Sequence, residues 1–167
     1  MCSSDLIIIN SLEVLLKEFQ ICHICGKGNI NAEFINKKGY KQFEYVNDEQ
    51  PHLFAMADII VSRAGATTLF EVLALRKPSL LIPLSRKASR GDQILNAKSF
   101  EDQRFSKVLE EEKLNEESLI HNVRVLYHER NIFITAMKES AIGNGISEII
   151  KVIEESASLK KEHKLWK

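Results

Sequence analysis

Residues Ala57–Gly91, ADIIVSRAGATTLFEVLALRKPSLLIPLSRKASRG, narrow the folds open to this chain more than any other stretch. Two short apolar runs, Asp58–Val61 and Ser79–Pro83, flank a glycine-bearing turn and one helical segment. That is the outline of a βαβ unit. Its turn, Ser62-Arg63-Ala64-Gly65-Ala66-Thr67-Thr68, puts small residues and hydroxyls where a strand hands over to a helix. Such a junction presents unpaired backbone N–H groups and the positive end of a helix dipole to an anion. A phosphate-bearing ligand is therefore the first expectation.

The rest of the chain extends the same alternation. Apolar residues at Ile8, Ile9, Leu12, Leu15, Leu16 and Phe19 have helical spacing, and Ile21–Cys25 follows as a strand that ends in the turn Gly26–Asn29. After a polar segment, Phe43 and Tyr45 alternate with Gln42 and Glu44, which predicts a strand over Gln42–Val46. Asn47–Pro51 reads as a turn opening a helix, His52–Ala57, with acidic residues in its first turn. Beyond the βαβ unit come a loop at Leu84–Gly91, a helix over Asp92–Gln103 and a strand at Phe105–Leu109. Three further helices are expected at Glu117–Tyr127, Ile132–Ser140 and Ile146–Ser156, the last two separated by Gly143-Asn144-Gly145. Strands alternating with helices predict an α/β fold, a Rossmann-like open parallel sheet with helices on both faces. The tail, residues 157–167, is basic, with Lys160, Lys161, Lys164 and Lys167 beside Leu159, Leu165 and Trp166; it reads as a peripheral helix end.

Composition limits the partners. At 167 residues the chain has the size of one domain. Its 23 basic and 23 acidic residues cancel, so no global field draws it to nucleic acid, and Arg86, Lys87 and Arg90 are too small a cluster to do so. No apolar run approaches the roughly 18 residues of a membrane span. Met1–Asn10 lacks the features of a secretory signal, which makes the cytoplasm the expected location. Cys22 and Cys25 form a C-x-x-C spacing, but it lies inside an apolar run without a second ligand pair, and reduced strand cysteines are the expectation. His23, His52, His121, His128 and His163 have no metal-ligand spacing, and no serine or cysteine sits in a nucleophile turn. Neither a metal nor a cofactor is expected, and the catalytic residue is unassigned. His23 is expected to be a core or strand-end histidine.

In an open α/β sheet, ligands bind at the carboxyl ends of the strands. Gly26–Asn29, Ser62–Thr67 and Leu84–Gly91 are the three loops expected there. Thr68 and Glu71 stand in a T-x-x-E relation, which fits a capping box; it equally fits a carboxylate, Glu71, that accepts hydrogen bonds from a vicinal diol such as ribose. Gly65 fits a tight turn or a close backbone approach to a ligand. Asp92 and Gln93 open a helix after a basic segment, where they either compensate its dipole or read sugar hydroxyls.

The motifs SRAGATTLFE (Ser62–Glu71), KPSLLIPL and RGDQILNA (Arg90–Ala97), preceded by HICGKGN (His23–Asn29) and KGYKQFEYV (Lys38–Val46), occur in an order that resembles the C-terminal half of the MurG family of bacterial glycosyltransferases. The resemblance covers about Asn10 to Ser156. It implies a nucleotide-sugar-binding domain over residues 10–156, the C-terminal lobe of a two-lobed (GT-B type) transferase, and it leaves residues 1–9 as an irregular or foreign start. The family transfers N-acetylglucosamine from UDP-N-acetylglucosamine to undecaprenyl-pyrophosphoryl-muramyl-pentapeptide, a peptidoglycan precursor, at the cytoplasmic face of the membrane. By motif position, the backbone of Val46 would meet the uracil, with Tyr45 beside it. Gly65 and the run Ala66, Thr67, Thr68, Leu69 and Glu71 would line the nucleotide, with the helix N-terminus at the diphosphate and Glu71 on the ribose. Asp92 and Gln93 fall on the sugar-reading pair, where the family often has two glutamines, so Asp92 departs from its pattern.

A larger departure is at the start. The family's domain opens with a strand and a GGSxGA loop, whereas this chain begins MCSSDLIII, which implies an N-terminal truncation. The lipid-linked acceptor would then be bound through a missing N-terminal domain, and this chain alone would be inactive. A donor-binding subunit of a two-component transferase and a non-catalytic nucleotide-sugar-binding domain are the alternatives. The oligomeric state is left open.

Overall fold

The computed structural model describes residues 3–86 and 89–140. Its most deeply covered strand is β4 (Ser79–Leu81), in which all three side chains are buried. Successive strand residues point to opposite faces, so β4 is covered on both. It lies between β3 (Ile60–Ser62) and β5 (Ser106–Val108), parallel to each, with Leu80 opposite both Val61 and Lys107. Ser79 faces Ser106 in this register, and their hydroxyls meet at 2.6 Å in the interior. The remaining strands, β1 (Ile21–Ile24) and β2 (Tyr40–Phe43), form a second parallel pair. The parallel α/β class expected from the alternation is therefore present, with its hydrogen bonding divided into a three-stranded and a two-stranded part.

Among the described residues five helices supply the cover: α1 (Ser3–Leu15), α2 (Gln50–Met56), α3 (Ala66–Ala74), α4 (Asp92–Asp102) and α5 (Glu116–Glu139). The core gathers Leu69, Val72 and Leu73 of α3, Ala97 and Phe100 of α4, and Leu119, Val123, Leu126, Phe133 and Met137 of α5 around Leu80 and Leu81. Hydrophobic burial on this scale, about 25 cal/mol per Å² of apolar surface, is the dominant stabilising term.

Four expectations are corrected. Residues 1–9 are not irregular as far as they are described: the chain is helical from Ser3, and Ile7 and Ile8 pack on the core. The second strand is Tyr40–Phe43 rather than Gln42–Val46. Tyr40 is buried against His23 and Phe34, whereas Tyr45, beyond the strand, is exposed. The acidic residues Asp48 and Glu49 precede α2, which begins with Gln50-Pro51 and has no acid in its first turn. Finally, Glu117–Tyr127 and Ile132–Ser140 belong to one 24-residue helix. Its buried residues at 119, 123, 126, 133 and 137 keep a continuous stripe through the polar residues His128–Asn131, so the polar gap is a solvent-facing turn. Asn115 and Ser118 form a reciprocal capping box at its start. The helix expected at Ile146–Ser156 and the basic tail lie outside the described residues.

Candidate nucleotide-sugar site

The turn after β3 leads into α3 through Gly65, the N-cap residue, whose backbone is extended and whose position leaves open space where a Cβ would stand. No side chain caps this end, so the capping box read from Thr68 and Glu71 does not form. Thr68 is the third residue of α3 and Glu71 the sixth. The first-turn N–H groups of Ala66, Thr67 and Thr68 thus have no intrahelical acceptor, as at any helix start. Leu69, in contrast, points into the core at 2% exposure. Its backbone N–H is also engaged, donating to the Gly65 carbonyl at 3.0 Å.

Glu71 is half-buried, and its Oε2 accepts a hydrogen bond from Nε2 of Gln50 at 3.0 Å. Gln50 opens α2 and closes the turn, Asn47–Gln50, that follows Tyr45 and Val46. Tyr45 is exposed and Val46 half-buried just past β2. Close to them, Glu44 accepts from the backbone N–H of Gly28, which joins the Gly26–Asn29 loop after β1 to the chain leaving β2.

The third loop is built by polar ties. Gly91, at φ 91°, turns the chain into α4 with Asp92 as its first residue and Gln93 as its second. Asp92 is exposed. The side-chain oxygen of Gln93 accepts from the backbone N–H of Leu84 at 3.1 Å, closing the loop onto the helix start. One turn on, Asn96 donates to the Ala64 carbonyl at 3.2 Å and links α4 to the turn after β3. Arg63 donates to the Ile82 carbonyl at 3.2 Å and to Glu111 at 2.8 Å; the other Glu111 oxygen accepts from Ser85 N–H at 2.9 Å. Polar bonds therefore join the turns after β3 and β4 with the segment after β5. Arg63, Glu111, Asn96 and Gln50 tie the loops of the candidate site together, and sequence reading singled out none of them. Only Arg63 carried a signal, as the lone charge within a turn of small residues.

These ties place Gly65, Ala66, Thr67, Thr68 and Glu71 at one strand-to-helix junction, and Asp92 and Gln93 at the next. The expectation that these loops leave the carboxyl ends of parallel strands holds for all three. Chemically, the first junction offers amide donors to an anion and a carboxylate to hydroxyl donors, and the second a carboxylate and an amide.

Elsewhere, His23 is buried in β1, with Nδ1 2.8 Å from the Tyr40 hydroxyl and Nε2 3.5 Å from the Asp5 carboxylate. That carboxylate favours the proton on Nε2, which leaves Nδ1 to accept from the phenol. Burial, reinforced by Cys25 and Asp5, pushes the Tyr40 phenol up to about 12. Burial likewise raises the Cys25 thiol. Cys22 is exposed and Cys25 buried, both as free thiols. Among the described residues, no three acidic, histidine or cysteine side chains are grouped to hold a metal ion, and no helix is long and apolar enough to cross a membrane.

Residues 7–153 match the model of the glycosyltransferase family 28 C-terminal domain. A Clostridium tetani protein named UDP-N-acetylglucosamine--N-acetylmuramyl-(pentapeptide) pyrophosphoryl-undecaprenol N-acetylglucosamine transferase is 53% identical over 154 residues, covering 92% of this chain and 43% of that protein. A Clostridium perfringens protein of the same name is 50% identical over 148 residues, 89% of this chain and 42% of that protein. The chain thus spans less than half the length of the curated relatives it matches. Among solved structures, Acinetobacter baumannii MurG superposes with a TM-score of 0.71 at 20% identity, covering 91% of this chain and 45% of that one. The glycotransferase of kitacinnamycin does so with 0.70 at 16%, covering 89% and 38%. These two likenesses establish the fold as that of a glycosyltransferase lobe. The family match runs from within α1 to beyond the end of α5 and takes in every loop described above, and the chain belongs to the glycosyltransferase family 28 C-terminal domain family.

Proposed function

We propose that this chain binds UDP-N-acetylglucosamine as the donor half of an inverting transferase that adds N-acetylglucosamine to undecaprenyl-pyrophosphoryl-muramyl-pentapeptide. The observation that carries this reading is the 53% identity, over nearly the whole chain, to a relative named for that reaction. The loop chemistry supports it. The first-turn amides of α3 suit a diphosphate, the Glu71 carboxylate a ribose diol, and the start of α4 a sugar. In this reading the Val46 backbone receives the uracil, beside Tyr45.

In such a transfer an acceptor hydroxyl attacks C1 of the sugar as the bond from C1 to the UDP oxygen breaks, and UDP departs with the bonding pair. Negative charge grows on the diphosphate in the transition state, so donors fixed at the α3 N-terminus act where they lower the barrier. The helix dipole and amides need no reorganisation to do this. No residue of this chain is assigned the proton-accepting role. The lipid-linked acceptor and the cytoplasmic face of the membrane belong to the proposed activity of the complete protein.

Titration of isotope-labelled chain with UDP-N-acetylglucosamine, followed by NMR, tests the reading. Shifts at Val46, Glu71 and Gln93 are expected. None at millimolar ligand would overturn it.

A further inference from the structure

Deepening the proposed function and resting on it, we infer that Gln50 is a positioning residue that orients the Glu71 carboxylate toward the ribose and ties it to the segment that receives the base. Its side-chain amide donates to Glu71 Oε2 at 3.0 Å across 21 residues of chain. The helix that bears it, α2, has no fully buried residue and rests on the core through the partly buried Phe54. Polar ties add to this contact at both ends. At its C-terminal end Lys77 Nζ donates to the carbonyls of Ala55 and Ala57, at 2.6 and 2.8 Å. At its N-terminal end the Gln50 backbone N–H donates to the Asn47 carbonyl at 3.1 Å, closing the turn that directly follows Val46. The Gln50 side chain thus spans from the end of the base-receiving segment to the carboxylate on α3.

The chemistry of the donor matters. A half-exposed glutamate on a helix samples several rotamers, and ordering it at binding costs free energy. A hydrogen bond to one oxygen removes part of that cost beforehand. An amide does this without neutralising the carboxylate, whereas lysine or arginine would compete with the diol for its charge. Each carboxylate oxygen accepts more than one hydrogen bond, so Oε2 can still receive a ribose hydroxyl while Gln50 holds it. The consequence is selectivity for ribonucleotides that depends on Gln50, although Gln50 itself does not touch the sugar.

The test compares UDP with 2′-deoxy-UDP by calorimetric titration of the 167-residue chain, for wild type, Gln50→Ala, Gln50→Glu and Glu71→Gln, with thermal melts to establish folding. Wild type is expected to prefer UDP on the order of tenfold, the worth of a charge-assisted hydrogen bond. Gln50→Ala should cut that preference severalfold, and Gln50→Glu, which sets a like charge against Glu71, should abolish it. A loss of fold quality alone weakens both nucleotides equally and leaves the ratio intact. Should Glu71→Gln erase the preference while both Gln50 variants keep it, the inference fails and the ribose reading stands. A wild type that binds neither nucleotide, or does not distinguish them, or a Glu71→Gln variant that still does, overturns both.

Discussion

The guanidinium of Arg63 lies 2.8 Å from the carboxylate of Glu111, and this pair, 48 residues apart in the chain, connects the segments that leave β3 and β5. Both side chains are largely shielded, and Glu111 also holds the Ser85 amide. Shielding raises the worth of such a pair and the penalty for breaking it. Glu111→Ala should therefore destabilise the protein by about 1–3 kcal/mol, the range for half-buried donors left unmatched. Urea unfolding measures the loss, and hydrogen exchange should show Ser85 N–H newly exposed. A change under about 0.5 kcal/mol would place the pair among solvated surface bridges.

Tyr40 gives the protein a distinct alkaline behaviour. Its phenol has an ordinary value of 10.0 and is raised to about 12 in the fold, chiefly by burial. Between those values the native state keeps a proton that the unfolded chain has released, so stability is whole below pH 10 and falls as pH climbs toward 12. Tyr40→Phe should cost about 1 kcal/mol at neutral pH by removing the bond to His23. Over the alkaline window its stability should fall less steeply than wild type. Denaturation midpoints across that window measure both effects; an unchanged slope would show that another group is responsible.

Leu80 and Leu95 separate core from surface. Leu80 is fully covered, while Leu95 on α4 is 69% exposed. Leu80→Ala is expected to cost about 2–5 kcal/mol through lost burial and a residual cavity. Leu95→Ala should stay within about 0.5 kcal/mol of wild type. Paired denaturant titrations compare them directly.

Gly91 adopts a left-handed backbone, φ 91°, immediately before Asp92 and Gln93. A side chain there is strained even though the space around it is open. Gly91→Ala should destabilise by about 1–2 kcal/mol and shift the start of α4. In the proposed function, affinity for UDP-N-acetylglucosamine then drops more than affinity for UDP. Equal losses for the two ligands would count against a sugar-reading role for this helix start.

The alternation of short apolar runs with helical spacing was enough to read the parallel α/β class, because burial on both faces of β4 leaves a run with few polar interruptions. Local pattern failed where tertiary packing chose between candidates. The second strand is Tyr40–Phe43 rather than Gln42–Val46, and the stripe on α5 continues through four polar residues. Within the candidate site, glycine turns and helix starts were legible, as was the position of Glu71. Its partner Gln50 and the pair Arg63–Glu111 were not, since a polar contact between distant segments has no period in the sequence. The structure also removed one of two readings of Glu71, because α3 starts at Ala66 and its cap is Gly65.

The hydroxyls of Ser79 and Ser106, facing each other in the dry interior between β4 and β5, make strand alignment an all-or-none matter. Sliding β5 by two residues would set Ser79 opposite Val108 in one direction, or Ser106 opposite Leu81 in the other, and either slide parts two hydroxyls that lie buried. Each stranded group costs about 1–3 kcal/mol, a large fraction of the stability of an ordinary domain. A slip by one residue is worse, since it turns the inward set outward and brings Lys107 to face the core. Two small polar atoms thus act as a lock on the sheet, and the lock holds the β4 and β5 ends, with the loops they carry, at one fixed height.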